Sequence, residues 1–277
     1  MPDTPFACNL FPDNALIAVS GDDAAAFLHG QFTNDVLALK PGEAHWNGWC
    51  SPKGRLLATF VLARGKEGYF LMLPMALREA FQKRLQMFVL RSKVKLENFS
   101  ATVSHFGVWG GALPEGAFAL GADQGVVIDG AVPSGRAAGF EAWSLALIRA
   151  GILVVVPETQ DQFVPQMANF ELIGGVNFKK GCYPGQEIVA RMQYRGGLKR
   201  RMVRVASGVA CEPGTSVYSS AFGEQSAGMV ANVALSPEGG WEALVVAQLE
   251  AIAIDDLKLA SPQGAPLEIL PLPYAIK

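Results

Sequence analysis

From Leu198 onward the chain is built of short β-rich runs: Met202 to Ala206, Ser216 to Tyr218, Gly228 to Ala234, Ala243 to Gln248 and Leu267 to Leu270, separated by Gly- and Pro-bearing turns. An amphipathic helix needs its 3.6-residue apolar period sustained for about ten residues, and none of these runs reaches that length. Short strands left in an open sheet would expose hydrogen-bonding edges, which closure removes. The pattern therefore predicts a small closed antiparallel barrel over residues 197–277.

The preceding residues mix both kinds of element. Gly21 to Gly30 encloses good helix formers between a capping acid and a glycine. Ala44 to Cys50 and Leu56 to Ala63 read as strands around the Ser51-Pro52-Lys53-Gly54 turn. Tyr69 to Leu73 is a further strand, Met75 to Leu90 has helical spacing, and Lys93 to Leu96 is strand-like. Glu141 to Ala150 and Pro184 to Tyr194 are the firmest later helices, whereas Gly111 to Gly139 carries little pattern. Helices beside antiparallel strands, in a chain of 277 residues, imply an α+β protein of two or three domains.

Half the residues are hydrophobic and 17% are charged, which excludes a disordered polymer. Apolar runs such as Gly151 to Pro157 fall far short of the roughly 20 residues of a spanning helix, so no membrane span is expected. The first ten residues carry Asp3 where a secretory signal carries Lys or Arg, and the expected compartment is the cytoplasm. Cys8, Cys50, Cys182 and Cys211 lie far apart and read as free thiols. His29, His45 and His105 form no ligand-like spacing with one another or with cysteine, so no metal site is expected. No coiled seam stands out, which leaves a monomer as the default.

Charge is concentrated in one window. Between Lys179 and Arg204 stand Lys179, Lys180, Arg191, Arg195, Lys199, Arg200, Arg201 and Arg204 against the single acid Glu187. Such a stripe on an otherwise acidic chain suits an anionic ligand, or is simply a solvated helix face and strand edge. Direct RNA binding is not expected, because Tyr194 is the lone aromatic interleaved with these cations.

Within that window, Lys179-Lys-Gly-Cys-Tyr-Pro-Gly-Gln-Glu-Ile-Val-Ala-Arg191 carries the K-G-C-Y-x-G-Q-E signature. It resembles that of the YgfZ branch of the glycine-cleavage T-protein superfamily. The likeness extends through Gly21-Asp22, Thr33-Asn34-Asp35-Val36, Ser51-Pro52-Lys53-Gly54-Arg55 and Pro165-Gln166 with Asn169, and covers nearly the whole chain. It implies a three-domain ring around a central folate channel. Residues 1–20 and 99–196 would form a discontinuous folate-binding domain, residues 21–98 an inserted ferredoxin-like domain, and residues 197–277 the barrel. It further implies that tetrahydrofolate or a derivative is the cofactor. Iron–sulfur client enzymes, including tRNA-modifying ones, or cluster-assembly proteins would be the partners.

A pterin offers an exocyclic amine beside a ring N–H, which one carboxylate can accept together. Glu187 is the candidate, by carry-over from the helix glutamate of T-proteins. An ion pair with Arg191, four residues on, is the structural alternative. Cys182, beside the expected helix start and Lys179 and Lys180, is the candidate reactive or cluster-related thiol. Lys53 and Arg55 are candidates for a glutamate tail, Asn34 for the pterin or a backbone cap, and Lys180, Tyr183 and Arg191 for the same site. Trp46 and Trp49, with Phe11, are open to stacking a pterin or to filling a core. Where T-proteins carry an acidic pair, this chain reads Leu56-Leu57-Ala58-Thr59, with no titrating group for acid–base work. An accessory folate-binding protein is expected on that ground, with a one-carbon or aminomethyl transferase using Cys182 as the alternative.

Overall fold

The computed structural model describes residues 4–276. Two five-stranded sheets, their helices and a closed barrel make up the chain. The barrel runs Arg200–Ser207, Trp241–Gln248, Gly228–Leu235, Ser216–Tyr218, Leu257–Leu259, Pro266–Leu270 and back to Arg200–Ser207, with every pair antiparallel. Trp241–Gln248 shows no polar alternation because both of its faces are buried: Val245 and Ala247 fill the barrel, while Leu244 and Val246 belong to the main core outside it. Two elements of this region escape sequence patterning, the strand Leu257–Leu259 and the one-turn helix Leu249–Ala253.

The second sheet is ordered Ala44–Cys50, Leu56–Arg64, Tyr69–Pro74, Asn14–Ser20, Lys95–Asn98. Its strand Leu56–Arg64 is buried almost throughout, again because both faces are covered. Phe60 points toward the helices Ala24–Gln31 and Met75–Gln86 and packs edge-on with Phe32 and Phe81 at 4.6 and 5.5 Å between ring centres. Thr59 and Val61 project to the opposite side. Trp49 joins the aromatic core, whereas Phe11 is exposed.

The first sheet is Arg136–Ala137, Phe6–Asn9, His105–Trp109, Gln124–Ile128, Phe118–Ala119. Residues 1–20 thus serve two sheets: Phe6–Asn9 pairs with His105–Trp109, and Asn14–Ser20 pairs with Tyr69–Pro74 and Lys95–Asn98. Two helix ends differ from expectation. The helix from Met75 stops at Gln86, and Met87 to Leu90 leave it so that Val89 is buried while Met87 and Leu90 face water. The signature helix begins at Gln186, because Gly185 caps it in the left-handed region at φ 79°. Pro184 therefore precedes the helix instead of opening it.

Candidate functional site

The helix Phe140–Arg149, the sheet face bearing Trp46, Thr59, Val61 and Met72, the segment Ile152 to Val156 and the barrel strand Gly228–Leu235 converge on one cavity of about 230 Å³. Its walls are mostly apolar, with Trp143 and Leu147 on the helix side and Val61 and Met72 on the sheet side. Two of its polar side chains, Thr59 and Asn232, are engaged. Thr59 Oγ1 donates to the Leu153 carbonyl at 3.0 Å and accepts from Val155 N–H at 2.9 Å. Asn232 clasps Val154, accepting from its N–H at 2.9 Å and donating to its carbonyl at 2.8 Å, which fastens the barrel to the cavity wall.

Asn14, Ser144, Trp46 and Asp13 are not consumed in this way, and the last two bear most on a ligand. Trp46 is 7% exposed, lines the cavity, and its Nε1–H has no acceptor among the described residues. A buried indole N–H without a partner costs roughly 1–3 kcal/mol, so its place beside a cavity calls for an acceptor there. Asp13, on the exposed turn before Asn14–Ser20, brings a carboxylate to the same cavity. A ring-sized heterocycle with adjacent donors and acceptors fits this donor set, whereas an entire drug-sized ligand usually needs about 300 Å³ or more.

The signature residues assemble elsewhere. Gly54 and Gly185 meet backbone to backbone: a Cβ on Gly185 would strike the Ser51 carbonyl and Gly54, and one on Gly54 would strike Ile188. The Ser51-Pro-Lys-Gly turn and the signature helix start are thereby joined, although some 130 residues separate them in sequence. Lys180 is buried in this cluster. Its Nζ donates to the His29 carbonyl and, at 2.7 Å, to the Phe32 carbonyl, and lies 4.8 Å from the centre of the Tyr183 ring. It closes the C-terminal end of the helix Ala24–Gln31, whose last carbonyls lack partners of their own.

Trp46, a stacking candidate from the sequence, lines the central cavity, whereas Glu187, Arg191, Asn34, Lys53, Arg55, Lys180, Cys182 and Tyr183 do not. Glu187 and Arg191 are exposed on the outer face of the signature helix and form no ion pair. The carboxylate placed on the pterin by carry-over is therefore a surface acid, and Asp13 is the carboxylate at the cavity. Asn34 spends both amide hydrogens on the carbonyls of Trp46 and Gly174, at 2.9 and 2.7 Å, which makes it a bracket between two loops. Lys53 is exposed, and Arg55 donates to the Asp161 carbonyl at 3.2 Å. Tyr183 is buried, and burial raises its phenol above the ordinary range.

The cationic window is not one surface. Arg201 is half-buried against Glu171, and Arg204 faces Glu242 at 3.9 Å; three residues apart on the strand Arg200–Ser207, they point to opposite faces of it. Cys182 lies four residues before the first helical residue, beyond the first turn where the helix dipole acts. It is the exposed cysteine of the four. Cys8 and Cys50 are buried and Cys211 half-buried, and desolvation pushes all three thiols up, Cys8 to about 11. Among the described residues no cluster of His, Cys, Asp and Glu suits a metal ion, and no helix is long and apolar enough to cross a membrane.

Desolvation lowers the Lys180 ammonium from 10.5 to about 8, with Asp35 and Cys182 opposing the shift. Between about pH 8 and pH 10.5 the unfolded chain binds more protons than the folded one, so stability rises with pH across that window. The difference in unfolding free energy between the native chain and Lys180→Met is expected to grow in favour of the native chain from pH 8 to 10. Urea melts at matched pH measure it; a constant difference would show that the ammonium is not desolvated.

The chain was compared with known proteins. No protein-family model matches it. It is 31% identical to the "tRNA-modifying protein YgfZ" of Vibrio atlanticus (strain LGP32), over 95% of this chain and 91% of that protein. The chain belongs to the YgfZ family. An uncharacterized protein of Haemophilus influenzae is 32% identical over 68% of the chain and 69% of its own length. Among solved structures, the aminomethyltransferase T of the Bartonella henselae glycine cleavage system superposes with a TM-score of 0.73, covering 99% of this chain and 87% of that one at 16% identity. That likeness shows a T-protein-like fold, as the signature implied. Within this YgfZ scaffold Thr59 reaches the cavity with its hydroxyl locked between two backbone groups.

Sequence reading missed Asp13, Trp143 and Asn232. Trp143 and Leu147 stand four apart on an apolar helix face, which is indistinguishable from ordinary core packing. Asp13 and Asn232 carry no local signal, since only the meeting of distant strands gives them a cavity to face.

Proposed function

We propose that this YgfZ-family chain binds the ring system of tetrahydrofolate or a derivative in the central cavity. In that state it supports iron–sulfur client enzymes or cluster-assembly proteins, among them enzymes that modify tRNA. The observation that carries the reading is that the unpartnered Trp46 Nε1–H and the Asp13 carboxylate line the same, mostly apolar, cavity. The indole would donate to a ring acceptor, and the carboxylate would accept from the amine and adjacent ring N–H. Trp143 and Leu147 would exclude water from the ring. When bound, the folate supplies a one-carbon or redox-active reduced pterin; the chain supplies orientation and desolvation.

Thr59 has no group titrating in the useful range, and Cys182 is not among the residues lining the cavity. Both points favour an accessory role over one-carbon transfer through Cys182. The exposed Cys182 turn is then the natural contact for a client enzyme. The name of the Vibrio relative connects the family with tRNA modification, and the compartment consistent with that role is the cytoplasm.

Titration calorimetry with tetrahydrofolate tests the ligand. Trp46→Phe keeps most of the apolar wall and removes the donor, and is expected to weaken binding about tenfold, the worth of one buried hydrogen bond. Glu187→Ala is expected to bind like the native chain. Loss of binding in Glu187→Ala with none in Trp46→Phe would return the pterin to the signature helix. Activity of a radical iron–sulfur tRNA-modifying enzyme in cells lacking this chain, restored by the native sequence but not by Cys182→Ser, tests the role.

A further inference from the structure

A second concavity lies outside the central cavity, between the first sheet, the outer side of Phe140–Arg149 and two prolines, Pro237 and Pro273. Its volume is about 510 Å³, within the usual size range for small-molecule sites. Strand register makes its floor a single row: Arg136 pairs with Phe6, Phe6 with Trp109, and Trp109 with Gln124. Residues in register across neighbouring strands share a face, so the row reads cation, aromatic, aromatic, amide. The Arg136 guanidinium sits 3.8 Å from the Phe6 ring centre, and the Phe6 and Trp109 rings stack at 5.4 Å and 22°.

Gln124 ends the row. It is 8% exposed, lines the cleft, and its side-chain amide makes no hydrogen bond to the described residues. Its amide atoms are not fully enclosed, and the direction left open to them is the cleft itself. Asp123, next to it, adds an exposed carboxylate to the same end. At the other side Arg149 is already neutralised by Glu242 and Glu238, at 3.0 and 2.8 Å. Arg136, at the far end of the row beside the cleft, is the cation without an acidic partner among the described residues.

We propose that this cleft is a nucleoside site selective for adenine. A planar base packs against the Phe6–Trp109 wall, the Gln124 amide reads its N6 and N7 edge in the bidentate manner that suits adenine, and Asp123 accepts from ribose hydroxyls. The same chemistry is presented by a free adenosine and by an unpaired adenosine in RNA. The site is separate from the folate cavity and does not depend on the function proposed above.

Adenosine, uridine and a short oligoadenylate are titrated into the full chain, followed by tryptophan fluorescence and calorimetry. Adenosine is expected to bind more tightly than uridine, with little salt dependence because neither nucleoside carries a charge. Gln124→Leu, which keeps shape and volume, is expected to cost about tenfold for adenosine and to erase the preference over uridine. Phe6→Leu is the second variant and should weaken both nucleosides. Binding of oligoadenylate alone, still lost in Gln124→Leu, would assign RNA as the source. Failure of adenosine and oligoadenylate to bind at millimolar concentration would overturn the site, as would unchanged adenosine affinity in Gln124→Leu. Displacement of adenosine by tetrahydrofolate that persists in Gln124→Leu would also overturn it, by placing both ligands in the central cavity.

Discussion

Gly185→Ala is expected to destabilise the chain by about 2–4 kcal/mol, through left-handed strain and overpacking together. The residue has φ 79°, and an added methyl would strike the Ser51 carbonyl and Gly54. Backbone cannot swing aside as a side chain does, so the cost falls on the contact between the two signature turns. Gly116→Ala is the matched control. It also has φ 79° but nothing within 4 Å of its added methyl, and isolates the dihedral penalty. Urea midpoints of the two variants separate the contributions, and equal losses would show that the glycine contact yields freely. The same variant should raise the iodoacetamide reactivity of Cys50, which sits at the base of this contact and is buried in the native chain.

Glu171→Leu is expected to cost about 3–5 kcal/mol, because it leaves the Arg201 guanidinium buried without a counter-charge. Their side chains are 8% and 12% exposed, and Arg201 also donates to the Gln166 carbonyl at 2.9 Å. An arginine cannot shed its proton to escape the penalty. The double variant Glu171→Leu, Arg201→Met should recover much of the loss, since a well-packed apolar pair replaces two desolvated charges, one oxygen of which, Glu171 Oε2, has no partner at all. A loss below about 1 kcal/mol in the single variant would mean that the pair behaves as a surface bridge. The interaction matters because it joins the barrel strand Arg200–Ser207 to the segment that precedes the signature. Asn169, donating to the Met202 carbonyl at 2.8 Å, reinforces the same joint.

Local chemistry made most of the elements legible. The hairpin around Ser51 to Gly54, the helix after Phe140 and the barrel strands follow from alternation, helical spacing and Gly or Pro punctuation. The strand Gln124–Ile128 was not legible because it lies in the stretch Gly111 to Gly139, whose Gly, Ala and Pro carry no period, and His105–Trp109, just before that stretch, is only five residues long. The candidate site divides in the same way. Cys182, Lys180 and Tyr183 do cluster, and Gly54 does meet Gly185, but the cluster is a surface joint and not the lining of the cavity. Glu187 illustrates why: a lone acid in a cationic stretch stands out in composition, yet helix rotation alone decides which way it points.

Pattern and punctuation along the chain thus specified a mixed α+β body, a closed barrel and a family signature, because those features depend on neighbours a few residues apart. Which carboxylate faces the cavity, which arginines are buried and which indole lacks a partner were decided only when Asp13, Trp46, Thr59, Trp143 and Asn232 came together from five separate segments. Burial and hydrogen-bond satisfaction are properties of three-dimensional neighbours, and no spacing within one segment encodes them.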